Sequence, residues 1–101
     1  MSTEDDPYRD WVGPVLQAGT IASAVIDALV HGNPAAKVID RGAYVRVLSP
    51  VRCMLERKSV ELRLGGPFHL PADLERIMPA FRGKLRFGAD QAIWEPYGGA
   101  R

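Results

Sequence analysis

Ile21, Val25 and Leu29 recur at every fourth position, the longest helical spacing in a chain most of whose other apolar residues recur with a period of two. One strong helix set among short strands confines the chain to the α+β class, with helices laid against antiparallel sheets. Thr20 is placed to cap the helix, and Ala22, Ile26 and Val30 widen its apolar stripe, while Ser23, Asp27 and His31 fall on the opposite face. Gly32 at the position after the last turn, followed by Pro34, ends it.

Around this helix the period is that of strands. Trp11 to Leu16, interrupted by Gly13 and Pro14, reads as an edge strand or a strand after a turn. Lys37 to Asp40 forms a hairpin through Arg41-Gly42 with Ala43 to Leu48, where Val45 and Val47 alternate with Tyr44 and Arg46. After Ser49-Pro50, Val51, Cys53 and Leu55 alternate with Arg52, Met54 and Glu56. Ser59 is placed to cap a short helix that runs through Leu64 and stops at Gly65-Gly66. Pro71 fits the first turn of another helix, with Asp73 and Glu75 near its positive end and Leu74, Ile77 and Met78 as its stripe. Phe81, Leu85 and Phe87 then alternate with Arg82, Lys84 and Arg86, and Gly88-Ala89-Asp90 turns the chain into a closing strand, Gln91 to Glu95.

The resulting order is two βαββ-like units with about three helices, their antiparallel sheets set at an angle around one core. Residues 1–10 carry Glu4, Asp5, Asp6 and Asp10 and read as an acidic flexible tail; residues 11–97 make one domain, and 98–101 are a flexible C-terminus.

Composition narrows what such a domain can do. Thirteen basic and twelve acidic residues leave a formal charge of +1, too little field to argue for nucleic acid or an anionic membrane. No apolar run approaches the roughly 20 residues of a membrane span, and the acidic start is unlike a secretion signal. A lone Cys53 cannot form an internal disulfide, which fits a reducing cytoplasm.

Catalysis and metal binding need several titratable side chains that converge. One Cys and two distant histidines cannot supply a zinc site. His31 lies at a helix end and His69 before the third helix, as a capping or loop residue; Cys53 shares the face of Val51 and Leu55 and reads as a buried small hydrophobe. Gly65-Gly66-Pro67 lacks the Lys-Ser/Thr of a phosphate loop. Two alternatives stay open on the residues: a small stand-alone enzyme using His69 or Cys53, and a weak nucleic-acid-binding module using Arg82, Lys84 and Arg86, although Glu56 and Glu61 interleave with the remaining basic residues Arg52, Arg57, Lys58 and Arg63.

Val12-Gly13-Pro14, Ala18-Gly19, Asn33-Pro34, the run Asp40 to Arg46, Arg57-Lys58 and Gly66-Pro67-Phe68, taken in order, resemble the small coupling, or effector, proteins of bacterial multicomponent diiron monooxygenases. The resemblance is closest to the toluene, xylene and alkene branch and runs from about Val12 to the final hairpin. It implies two βαββ-like units around a shared core, no catalytic residue, no metal and no cofactor. It also implies one main partner, a diiron hydroxylase whose active-site geometry and substrate or oxygen access the effector adjusts, with a reductase and a Rieske ferredoxin in the same system able to compete for the docking surface. Asn33, Arg41, Tyr44 and Arg46 match the family pattern and become the candidate partner-binding residues, on loop or outward strand positions suited to an interface. The short acidic tail differs from the long tail of the methane monooxygenase regulators, and the substrate class, aromatic or alkene, stays open.

Overall fold

The computed structural model describes residues 7–97, so the first six residues of the expected tail and the whole 98–101 segment lie outside the described residues. The strands form two antiparallel sheets. β1 (Gly13–Gln17), β2 (Lys37–Asp40), β3 (Tyr44–Leu48) and β5 (Ala80–Arg82) make the first, in the order β2-β3-β1-β5. β4 (Cys53–Glu56), β6 (Lys84–Phe87) and β7 (Gln91–Glu95) make the second, in the order β4-β7-β6. Three helices, α1 (Thr20–Gly32), α2 (Arg57–Leu64) and α3 (Ala72–Glu75), complete the α+β fold.

α1 buries Ala22, Ala24, Val25, Ala28 and Leu29 and packs against α2 and β4. Its stripe is thus rotated toward the alanines, and Ile21 and Val30 face solvent. The small side chains let the helix approach its neighbours closely, while Val25 and Leu29 supply the volume. Fully burying such an aliphatic side chain is worth about 1.5–3 kcal/mol. The same core takes in Leu16 and Val47 from the first sheet, Cys53, Leu55 and Trp94 from the second, and Phe68 and Leu74 from the α2–α3 region.

Several local expectations shift by a residue or by an element. The helix cap is Gly19, not Thr20, which lies inside the first turn; α1 runs on through Gly32 and is stopped by Asn33. Ser59 likewise falls inside α2, which starts two residues earlier, and Gly65 ends that helix in the left-handed region at φ 79° as expected. α3 stops at Glu75, four residues short of Pro79, so Ile77 and Met78 reach the core from the following turn. Val51 is outside β4, left-handed at φ 70° and 77% exposed.

Two corrections concern topology. β1 is not an edge strand: it lies between β3 and β5, with Pro14 opposite Phe81. That neighbour was hidden because Phe81 to Phe87 is not one strand. Gly83, at φ 101°, breaks the run, sending β5 into the first sheet and β6 into the second. A Cβ at Gly83 would lie 2.7 Å from the Glu95 carbonyl oxygen and 2.7 Å from Val12 Cγ1, so only glycine fits this crossing of the two sheets. Phe81 and Phe87 are consequently exposed.

The N-terminal Pro7 to Asp10 stretch forms a turn. The Tyr8 ring meets Trp11 edge-on at 5.0 Å, and Arg82 Nη1 donates to the Tyr8 carbonyl at 2.6 Å. No helix among the described residues is long and apolar enough to cross a membrane.

Candidate docking surface

The first sheet has two unlike faces. Side chains of Pro14, Leu16, Val45 and Val47 point to one, and all four are buried. The register places Val15 opposite Arg46, Gln17 opposite Tyr44, and Ile39 opposite Arg46. These five share the other face, where each is exposed or half-buried. The face offers two half-buried aliphatic side chains, Val15 and Ile39, and an exposed Tyr44 two residues from the half-buried Arg46, a mixture suited to a protein surface rather than a core.

Of the four candidate contact residues, three lie on this hairpin. Tyr44 is 44% exposed and Arg46 half-buried beside it. Arg41 is exposed in the β2–β3 turn, which is closed by the Arg41 N–H donating to the Tyr44 carbonyl at 2.8 Å and the Gly42 N–H donating to Asp40 Oδ1 at 2.8 Å. Asn33 has a different place. It is 8% exposed, and its amide donates to the Leu29 and Met54 carbonyls, both at 2.8 Å, while Oδ1 accepts the Met54 N–H at 2.9 Å. The Asn33 side chain is thus an internal tie between the end of α1 and β4 rather than an outward-pointing group.

The residues proposed for catalysis are not brought together. Cys53 is fully buried, opposite Trp94, and burial pushes its thiol up to about 12, so it stays protonated and poorly nucleophilic near neutral pH. His69 projects to solvent; its backbone N–H donates to Asp73 Oδ2 at 2.7 Å and its Nδ1 lies 3.4 Å from the same oxygen. The His69 backbone N–H, above all, holds the Asp73 carboxyl below its ordinary value. This is a helix-end contact. Among the described residues no three His, Cys, Asp or Glu side chains converge as a metal site.

The basic set Arg82, Lys84 and Arg86 is also dispersed. Arg82 belongs to the first sheet, while Lys84 and Arg86 lie in the second, where Arg86 pairs with Glu95 through Nε–Oε1 at 3.0 Å and Nη2–Oε2 at 3.2 Å. Arg57 is held between Glu61 at 2.9 Å and Asp90 at 2.7 Å. A continuous basic nucleic-acid face is not formed.

An open groove of about 850 Å³ was not foreseen. It lies where the loop after α1 meets the β3–β4 turn and the ends of β6 and β7, and is lined by Asn33, Pro34, Ser49–Arg52, Lys84, Glu95 and Pro96 among others. The only sequence signals for it are the two turn dipeptides Asn33-Pro34 and Ser49-Pro50, whose proximity depends on the tertiary fold.

A family model described as the MmoB/DmpM family matches residues 10–95. The chain is 41% identical over 95 residues to an alkene monooxygenase system effector subunit from Xanthobacter autotrophicus strain Py2, across 92% of this chain and 93% of that protein. Its fold is similar to that of a chain in a phenol hydroxylase–regulatory protein complex, with a TM-score of 0.77 at 21% identity, covering 84% of this chain and 97% of that one. It is also similar to soluble methane monooxygenase regulatory protein B, with a TM-score of 0.68 at 16% identity, covering 95% of this chain and 73% of that one.

Proposed function

Because the chain belongs to the MmoB/DmpM family, we propose that it is the non-catalytic effector component of a multicomponent diiron monooxygenase. The observation that carries this is the 41% identity, along nearly the whole of both chains, to an alkene monooxygenase effector subunit. Its partner is the diiron hydroxylase of the same system. A reductase and a Rieske ferredoxin deliver electrons to that hydroxylase, and the ferredoxin competes with the effector for docking. The free, buried Cys53 thiol is compatible with work in a reducing cytoplasm.

An effector without redox chemistry acts through differential affinity. It shifts the hydroxylase only as far as it binds one conformation better than another, typically ~1–3 kcal/mol of coupling. A standard interface buries about 800 Å² on each side, roughly an eighth of the 6212 Å² that this chain exposes. The outward hairpin face with Arg41, Tyr44 and Arg46 is our proposed contact region, with Asn33 holding the neighbouring loop in place.

Reconstitution tests the function. With hydroxylase, reductase and ferredoxin fixed, titrating this protein should raise product formed per NADH consumed to a plateau. An unchanged rate and unchanged coupling across the titration would refute it.

A further inference from the structure

Glu95 sits between two cations. The β6–β7 register places Lys84 opposite Glu95, and continuing the β4–β7 register by one residue places Arg52 on its other side. Arg86 already holds both Glu95 oxygens. That hydrogen-bonded guanidinium, with smaller contributions from the charges of Arg52 and Lys84, keeps the carboxyl below its ordinary range. One carboxylate therefore faces three cations at the end of the second sheet. Among the described residues it is the only acidic one lining the groove, whereas Arg52 and Lys84 both line it without an ion pair there. The groove is left with a net positive field.

Its rim is apolar: Pro34, Ala35, Pro50, Val51 and Pro96. Val51 is the unusual member, a β-branched residue held at φ 70° with 77% of its surface exposed. Left-handed backbone is unfavourable for such a side chain, and strain of this kind clusters at binding and switch sites. No burial within the chain offsets it, so this methyl-bearing edge is available to something outside.

We propose that this groove takes in a segment of the hydroxylase that presents a carboxylate to Arg52 and Lys84 and an apolar side chain to Val51 and the prolines beside it. The inference rests on the effector function proposed above and adds a docking site separate from the Arg41–Tyr44–Arg46 hairpin. The charge arrangement names the chemistry of the occupant: a cationic partner segment would meet like charges, and an uncharged one would leave Arg52 and Lys84 desolvated without partners.

Binding of the purified hydroxylase component to the full chain, by calorimetry at low and moderate salt, tests it. The Arg52→Glu, Lys84→Glu double variant should weaken binding by about tenfold or more, and Arg52→Gln, Lys84→Gln by less, with a shallower salt dependence than the wild-type protein. Lys58→Glu, a charge reversal away from the groove and equal to that of Arg52→Glu alone, should bind as the wild type does, while Arg52→Glu alone should bind more weakly. Val51→Gly, which relaxes the φ 70° backbone, should keep a urea midpoint at least equal to that of the wild type and still bind more weakly, so that the lost affinity belongs to the missing side chain rather than to loss of folding. Wild-type binding with the groove variants indistinguishable from Lys58→Glu would overturn the groove while leaving the effector function standing. Absence of wild-type binding together with unchanged coupling in the reconstituted system would overturn both. Concentration-dependent dimerisation of the wild-type chain that Arg52→Glu abolishes would assign the groove to a second copy and also overturn the proposal.

Discussion

The Asn33 side-chain amide pairs with the Met54 backbone as a neighbouring strand would, accepting its N–H at 2.9 Å and donating to its carbonyl at 2.8 Å. Since the same amide nitrogen also donates to the Leu29 carbonyl at 2.8 Å, one side chain both ends α1 and fastens it to β4, joining the helix of the first half to the sheet of the second.

Asn33→Ala should therefore destabilise the fold by about 2–3 kcal/mol, because it strands a partly buried N–H and carbonyl of Met54. Asn33→Asp should cost at least as much, since it replaces the amide donor with a carboxylate oxygen facing the Leu29 and Met54 carbonyl oxygens. Urea unfolding followed by far-UV circular dichroism measures both. A loss below about 0.5 kcal/mol for Asn33→Ala, the range of ordinary surface changes, would show that the tie contributes nothing.

Gly83→Ala is expected to be among the most damaging single-methyl additions. The new Cβ meets a backbone oxygen and Val12 at 2.7 Å, and the residue is held at φ 101°, so steric overlap and backbone strain add. A loss of about 3 kcal/mol or more, or failure to fold, is expected. Gly42→Ala is the control for backbone strain alone: its φ is 83° but nothing lies within 4 Å of an added Cβ, and it should cost only about 1–2 kcal/mol. Equal losses at the two positions would remove the special role of the sheet crossing.

The contrast between these residues explains what was legible beforehand. α1 and the hairpins β2–β3 and β6–β7 depend on local period and on turn residues such as Arg41-Gly42, and both are visible in a single sequence. The outward direction of Tyr44 and Arg46 follows from the same alternation. The sheet exchange at Gly83 was not visible, because Phe81 to Phe87 keeps its alternation across the break and the deciding contacts, Glu95 and Val12, are distant in sequence. The internal bonding of Asn33 has no local signal for a related reason: Asn-Pro is sufficient for a turn, and the bonds to Met54 exist only once the two halves have docked. The Arg52–Glu95–Lys84 arrangement draws on β6, β7 and the residue before β4 and has no local signature.

Cys53 should be inert to thiol reagents in the folded protein. It is fully buried and its thiol is pushed up to about 12, so both access and thiolate are lacking at pH 8. Labelling with a disulfide-exchange chromophore should be complete in denaturant and slow without it, at a rate that tracks opening of the core. Rapid stoichiometric labelling under native conditions would contradict the burial. Cys53→Ser should cost stability, because it places a hydroxyl in an apolar site beside Trp94, while effector activity should be kept in the folded fraction.

Acid should destabilise the protein in a defined window. Glu61 accepts the Phe68 N–H at 2.9 Å and pairs with Arg57 at 2.9 Å; the Phe68 hydrogen bond first, then Arg57, hold its carboxyl below the ordinary value of 4.5. Asp73, Asp90 and Glu95 shift in the same direction, led by the His69 N–H, Arg57 and Arg86 respectively. A lowered folded-state pKa means that the unfolded chain binds the proton more readily. The stabilisation is thus complete above the unfolded values, and disappears as pH falls through the lowered folded ones. The urea midpoint should stay level from neutral pH to about 5 and decline below that. Glu61→Gln should be less stable at pH 7 but lose less on acidification, so that its curve approaches that of the wild-type protein at low pH. Parallel curves for the two proteins would mean that the Glu61 charge contributes nothing to joining α2 to the Phe68 segment, leaving the Phe68 side chain in the core to hold that contact alone.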